Sequence, residues 1–215
     1  MTSFRRVVDR TREPGDPAGD RPPGPRYLFT ARFSATDAML LRELVSQIAE
    51  LVGGPPAEGA PAEGLPVEGP PPGMPAADVS ADFADALGLT EDASLPDDPA
   101  LARLLPDAYP DDPGASGEFR RYTEKDLRAA KIAAARTVLD TLPEGGGRIR
   151  LSQPQAEIWL RAINDIRLAL GVRLSITEDM YEEMGRIKPD DARYTVLAVY
   201  DWLSGTQESL VHALW

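Results

Sequence analysis

The sequence predicts a mainly α protein: a single helical domain with at most a small two-stranded β element, a disordered N-terminal tail and a disordered Pro/Gly-rich insertion. Three observations predict it. Apolar residues recur at helical spacing in several stretches that open on capping residues. Only two short segments alternate as a strand would. Proline and glycine together number 39 of 215 residues, and most fall in three places: the N-terminal tail, a run after Gly53, and the stretch from Leu95 to Gly117. The expected organisation is a tail at 1–26 and a helical domain at 27–215, interrupted by the insertion at 54–79.

Residues 1–26 are rich in Arg, Asp, Pro and Gly and hold few large apolar groups, too few to offset the entropy of ordering them. Tyr27–Phe33 alternates as a short strand. Ser34 or Thr36 then caps a helix to about Val52, with Leu41, Leu44, Val45, Ile48, Leu51 and Val52 on one side. The insertion carries a near-repeat, Pro56-Ala-Glu-Gly-Ala, Pro61-Ala-Glu-Gly-Leu and Pro66-Val-Glu-Gly-Pro. Proline lacks a backbone donor and spaced glutamates repel, so the segment reads as a spacer. Short helices are expected at Ala81–Leu87 and Pro99–Leu105, the second capped by Asp98. A long helix is expected from Gly117 to Leu142, kinked at Thr123, where Thr123 and Asp126 imitate a capping box. Gly145–Gly147 forces a turn before a second strand, Arg148–Leu151. Ser152 caps the next helix, which Gly171 should end. A lesser helix covers Glu178–Met184, and the last runs from Asp190 or Asp191 nearly to Trp215, with a weak point at Gly205. Shifting the sequence by 118 residues aligns Arg32-Phe-Ser34 with Arg150-Leu-Ser152, and Gly53 with Gly171. Two such strands could pair and set their helices side by side.

Charge is unevenly distributed. The net charge is −12, but residues 36–117 hold sixteen acidic and two basic side chains, whereas residues 118–173 hold eleven basic and seven acidic. An anionic partner would therefore be sought on the later stretch. No apolar stretch follows Arg5-Arg6 and no run approaches a membrane span of about 20 apolar residues. A cytoplasmic location without membrane contact is expected.

Catalytic chemistry finds little support. There is no cysteine, which removes cysteine nucleophiles and thiolate metal sites, and the one histidine, His212, permits no histidine pair and reads as a helix-end or packing residue. The acidic pairs Asp97-Asp98, Asp111-Asp112, Glu182-Glu183 and Asp190-Asp191 fall mainly at helix starts or in loops, where carboxylates suit the helix dipole. Gly145-Gly-Gly147 lacks the Lys-Ser/Thr of a phosphate loop. The expectation is a non-enzyme with no metal, cofactor or catalytic residue.

Two helices offer candidate binding residues. Arg120, Arg121, Lys125, Arg128, Lys131 and Arg136 lie within seventeen residues, four of them on one side of the helix. They form either a solvated face with local ion pairs or a contact for phosphate or acidic protein. In the helix Gln155–Leu170, Trp159, Ile163, Ile166 and Leu170 form an apolar seam, and a second line runs through Leu160, Asn164 and Leu168. Such a helix is central in its domain, or Leu160 and Leu168 face a partner. The last helix ends in Trp215, which either packs on the core or joins a homodimer contact.

Four stretches carry a family resemblance: Asp98-Pro-Ala-Leu-Ala-Arg-Leu-Leu-Pro-Asp-Ala-Tyr109, Glu118-Phe-Arg-Arg-Tyr-Thr-Glu-Lys-Asp-Leu-Arg128, Trp159-Leu-Arg-Ala-Ile-Asn-Asp-Ile-Arg-Leu-Ala-Leu-Gly171, and Tyr200-Asp-Trp-Leu203 with Gln207-Glu-Ser-Leu210. In order and pattern the chain resembles the actinobacterial oxidative stress transcriptional regulator AosR family, formerly a domain of unknown function. The resemblance implies a cytoplasmic regulator of transcription that contacts the transcription machinery, such as a sigma factor, with DNA contact a second mode. It supplies no catalytic residues. Cysteine-based sensing is associated with such regulators and this chain has no cysteine, so the sensor would be a partner or one of Met39, Met74, Met180 and Met184. The competing reading is a protein-interaction adaptor in protein quality control with no direct role in transcription.

Overall fold

The computed structural model describes residues 2–9, 27–53, 98–188 and 191–215. The insertion at 54–79 and the helix expected at Ala81–Leu87 lie outside the described residues. In chain order the elements are β1 (Arg5–Val8), β2 (Tyr27–Phe33), α1 (Ala35–Gly53), α2 (Pro99–Leu104), α3 (Pro113–Thr141), β3 (Gly147–Leu151), α4 (Gln153–Arg173), α5 (Met180–Arg186) and α6 (Ala192–Leu214). The fold is mainly α, with one antiparallel sheet in the order β1-β2-β3.

The third strand is the main departure from the sequence reading. Arg5–Val8 sits within the stretch read as a disordered tail, yet it pairs with β2 from Arg5 opposite Thr30 to Val8 opposite Tyr27. The reason lies in Phe4, which is buried and meets the rings of Phe33 and Trp159 edge-on, at 6.2 Å and 5.9 Å between centroids. One aromatic anchor outweighs the poor composition of the residues after it. The Phe4 amide donates to Ser209 Oγ at 3.2 Å, and the Thr2 hydroxyl donates to Asp37 at 3.3 Å, so the segment is tied to α6 and α1 as well.

β2 and β3 do pair, Phe29 opposite Leu151 through Phe33 opposite Gly147, and α1 and α4 touch. Gly146 makes the turn before β3 feasible. Its φ is +73°, and a Cβ there would lie 2.6 Å from the Ser34 carbonyl carbon and oxygen. Ser34 and Asp37 cap α1 reciprocally, and Ser152 with Gln155 completes a capping box at α4. Asp98 caps α2 as expected, accepting from the amides of Ala100 and Leu101.

The long helix differs from its forecast. It starts at Pro113, capped by Asp112, and runs without interruption through Thr123. Thr123 does not act as a cap; its hydroxyl donates back to the Phe119 carbonyl at 3.0 Å, within the helix. α6 likewise continues through Gly205, and α4 passes Gly171 to end at Arg173. The core gathers Phe29, Phe33, Leu41, Leu44, Leu142, Leu151, Trp159, Ile163, Ile166, Leu170 and Leu203, all fully buried. Trp159 lies at its centre, with its indole N–H donating to Thr141 Oγ1 at 2.8 Å, so its one polar group is satisfied.

Candidate functional site

α3 is 29 residues long, and its two halves differ. Ala134, Ala135 and Val138 in the second half are buried, and the helix packs there on α1 and α4. Between Gly117 and Ala133 no described hydrophobic side chain is buried, while Phe119, Tyr122 and Leu127 are 45%, 75% and 45% exposed. The first half therefore projects as a lever that tertiary packing leaves largely bare. Tyr109, half-exposed, sets its ring edge-on to Phe119 at 6.1 Å. A shallow cleft of about 30 Å³ lies between this half and the segment after α2, with Leu105, Pro106, Phe119 and Leu127 as its apolar lining and Asp107, Arg120 and Glu124 among its polar lining.

The six candidate cations lie on this helix in unequal circumstances. Arg120 bridges to Asp107 and reaches Glu124 at 3.6 Å, pinning the segment after α2. Arg128 pairs with Glu124 at 2.7 Å and donates to the Val52 carbonyl at the C-terminal end of α1. Such carbonyls have no partner within their own helix, so a cation there satisfies both hydrogen bonding and dipole. Lys131 pairs with Asp165 of α4 at 2.7 Å, and the side chains are 19% and 9% exposed. Lys125 and Arg136 are exposed and make no ion pair among the described residues. Arg121 also belongs to this helix. The six are thus not one surface: Arg120, Arg128 and Lys131 join pieces of the fold, and Lys125 and Arg136 are presented outward.

The second line of α4 faces α6. Leu160 and Leu168 are half-buried and pack against the core, and the Asn164 side-chain carbonyl accepts from Gln207 Nε2 at 3.3 Å. Between them, Arg167 donates to Ser204 Oγ at 3.0 Å and to Gln207 Oε1, with its guanidinium over the Tyr200 ring at 5.3 Å. Of the three positions, Asn164 is a contact between α4 and α6, and Leu160 and Leu168 pack on the core.

Two further arginines hold the frame and were not marked in the sequence. Arg42 donates to the carbonyls of Leu139 and Leu142 at 2.7 Å and 2.8 Å, closing the end of α3. Arg173 pairs with the buried Asp98, tying α2 to the end of α4. Nothing local marks either residue, because each partner is 75 or more positions away in sequence. The exposed aromatics did leave a signal: Phe119 and Tyr122 are large apolar groups in a stretch otherwise polar or small.

Of the acidic pairs, Asp98, Asp112 and Asp191 cap helices and Glu182 pairs with Arg186. His212 is exposed near the end of α6. Among the described residues no group of three or more histidine, aspartate or glutamate side chains could hold a metal ion. No helix among them is long and apolar enough to cross a membrane.

The chain's sequence places it in a family over nearly its whole length. It belongs to the family described as a domain of unknown function (DUF2017), whose pattern matches residues 4–214. Among curated proteins it is similar to the putative oxidative stress regulator AosR of Mycobacterium leprae, at 42% identity over 135 residues, covering 57% of this chain and 61% of that protein. It is also similar to the oxidative stress regulator AosR of Mycobacterium bovis and of Mycobacterium tuberculosis, at 40% identity over 138 residues, 58% of this chain and 62% of theirs. The matched region thus spans less than two thirds of those relatives. No solved structure matches the chain.

Proposed function

We propose that this protein is a non-enzymatic regulator of transcription in the oxidative stress response, and that it works by contact with the transcription machinery through the bare half of α3. One observation carries the reading. A helix that buries no apolar side chain between Gly117 and Lys131, yet exposes Phe119 and Leu127 where they line the cleft, stands on a chain whose relatives are named oxidative stress regulators. Exposed aromatics beside a shallow apolar cleft suit the anchor residues of a protein partner better than a phosphate backbone, which would call for several free cations. Of the cations in that half, Arg120 and Arg128 are held in ion pairs, which favours protein over DNA as the ligand.

The absence of cysteine places oxidant sensing outside the thiol chemistry of this chain. Met180 is buried and Met39 is 57% exposed, so sulfoxide formation at Met39 would perturb little packing. The weak case for Met39 supports a signal that reaches this protein through its partner, with Met74, Met180 and Met184 the competing sensors.

The test measures binding of the full chain to purified actinobacterial RNA polymerase holoenzymes, each with a different sigma factor, against the double variant F119A/L127A and the single variant K125E. Loss of roughly tenfold or more in affinity for one holoenzyme with F119A/L127A, helix content unchanged, supports the reading. Wild-type affinity in the double variant, or no binding to any holoenzyme by the wild type, removes it and favours the quality-control adaptor.

A further inference from the structure

A second face of α3 is exposed along its whole length, about a third of a turn away from the cleft at about 100° per residue. Phe119, Tyr122, Asp126, Ala129, Ala133, Arg136 and Asp140 alternate at spacings of three and four, and every one is exposed. This is the spacing of the a and d positions of a coiled coil, here occupied by two aromatics, two alanines and three charged residues. Asp126, Arg136 and Asp140 make no ion pair or hydrogen bond among the described residues.

The order of residues along the seam says what would cover it. In an antiparallel pair of identical helices, each a position meets a d position of the other. One register sets Asp126 against the partner copy's Arg136, Ala129 against its Ala133, and Tyr122 against its Asp140. The two-fold axis repeats each of these contacts, giving two carboxylate–guanidinium pairs, two phenol–carboxylate hydrogen bonds and four alanines at the crossing. Alanines there let the axes approach to about 8 Å, the close end of helix packing. Other arrangements lose this match. Parallel pairing sets Asp126 against Asp126 and Arg136 against Arg136. Sliding the antiparallel pair by a heptad sets Arg136 against Phe119 in one direction and against Ala133 in the other.

We infer that α3 is a homodimer interface, with two copies of the chain packed antiparallel through Tyr122, Asp126, Ala129, Ala133, Arg136 and Asp140. The interface residues from Tyr122 onward lie about a third of a turn from the Leu105–Leu127 cleft and do not line it, so the proposal stands whether or not the cleft binds the transcription machinery. A dimer built this way presents two clefts, one at each end of the helix pair.

Sedimentation velocity on the full chain over a range of concentrations tests the association, and charge exchange tests the register. D126R and R136D each turn two attractions into two repulsions and should weaken the dimer roughly tenfold or more. The double variant D126R/R136D restores opposite charges and should recover most of the loss. Because the chain has no cysteine, engineered thiols report without interference. Mixed A129C and A133C chains should form a disulfide on mild oxidation. Either chain alone should not, since its thiols lie four residues, about 6 Å, out of step along the axis and beyond bridging distance. A wild-type chain that stays monomeric overturns the proposal. So does a dimer indifferent to the single reversals, a double variant no better than the singles, or cross-linking of the separate chains in preference to the mixture.

Discussion

The sharpest prediction concerns Phe4, because the composition of residues 1–26 argues against any structure there. Phe4 is 4% exposed and packs edge-on against Phe33 and Trp159. Phe4→Ala removes that burial and both aromatic contacts, a change that costs about 3–5 kcal/mol in a rigid core. The surroundings here are less rigid. β1 is an edge strand whose four side chains are exposed, so the variant can relieve its cavity by releasing residues 2–9. The loss is therefore expected at the low end, about 3 kcal/mol. For a chain of this size each kcal/mol moves the melting temperature by about 2–4 °C, so Tm should fall by about 6–12 °C. Val8→Ala, 53% exposed on the same strand, should stay within about 0.5 kcal/mol. Urea melts followed by circular dichroism give the free energies. Hydrogen exchange locates the effect, since amides of β2 should lose protection while those in the middle of α4 keep it. A Phe4→Ala protein that melts with the wild type would refute the reasoning, and with it the claim that the first strand belongs to the fold.

Two other predictions follow from the same frame. Asp165→Ala strands the Lys131 ammonium between α3 and α4 and should cost about 2–3 kcal/mol, the pair being only partly dry; the double variant K131M/D165L, which replaces the pair by apolar bulk, should cost clearly less, and urea midpoints showing the reverse order would contradict this account. Gly146→Ala meets both a positive φ and the Ser34 backbone at 2.6 Å and should cost about 2–3 kcal/mol. Gly145→Ala, with open space around its Cβ, should be neutral or slightly stabilising, and equal thermal shifts for the two would show that the turn relaxes freely.

How legible the fold was depended on how local its causes were. Ser34, Asp98 and Ser152 act on amides two or three residues away, and their helices begin where the sequence places them. The start of α3 was missed because the stretch from Leu95 to Gly117 is rich in Pro and Gly, whereas Asp112 and Pro113 make a strong start that outweighs Gly114 and Gly117. The kink at Thr123 failed for a related reason. A Thr-x-x-Asp pattern caps a helix only where the preceding turn is absent, and here the hydroxyl finds the Phe119 carbonyl inside a continuous helix. β1 was unreadable from composition, since its only strong signal is one phenylalanine whose partners are Phe33 and Trp159, far along the chain. The two strands that the 118-residue echo aligns do pair, but antiparallel, with Arg32 opposite Arg148. The capped helices and glycine stops that make up the echo recur widely enough for chance to produce it.

The candidate site shows the same limit at finer scale. Counting cations along α3 identifies a basic helix, but the count cannot say which of them are spent inside the molecule. Arg128 is engaged by a carbonyl at the end of α1, 76 residues away, and Lys131 by a carboxylate on α4, 34 residues away. Both engagements follow from where α1 ends and α4 crosses, which no window of sequence contains. What survives is the complement. Once those cations are assigned to the fold, Lys125, Leu127 and Ala130 still face outward, and one face of the helix carries residues that are aromatic, small, or charged in alternating sign: Phe119, Tyr122, Asp126, Ala129, Ala133, Arg136 and Asp140. A merely solvated helix face has no reason to place its acids and bases so that reversing the helix brings opposite charges together. That order along α3 is the property a second copy of the chain would read, and it becomes visible only after the basic helix has been taken apart residue by residue.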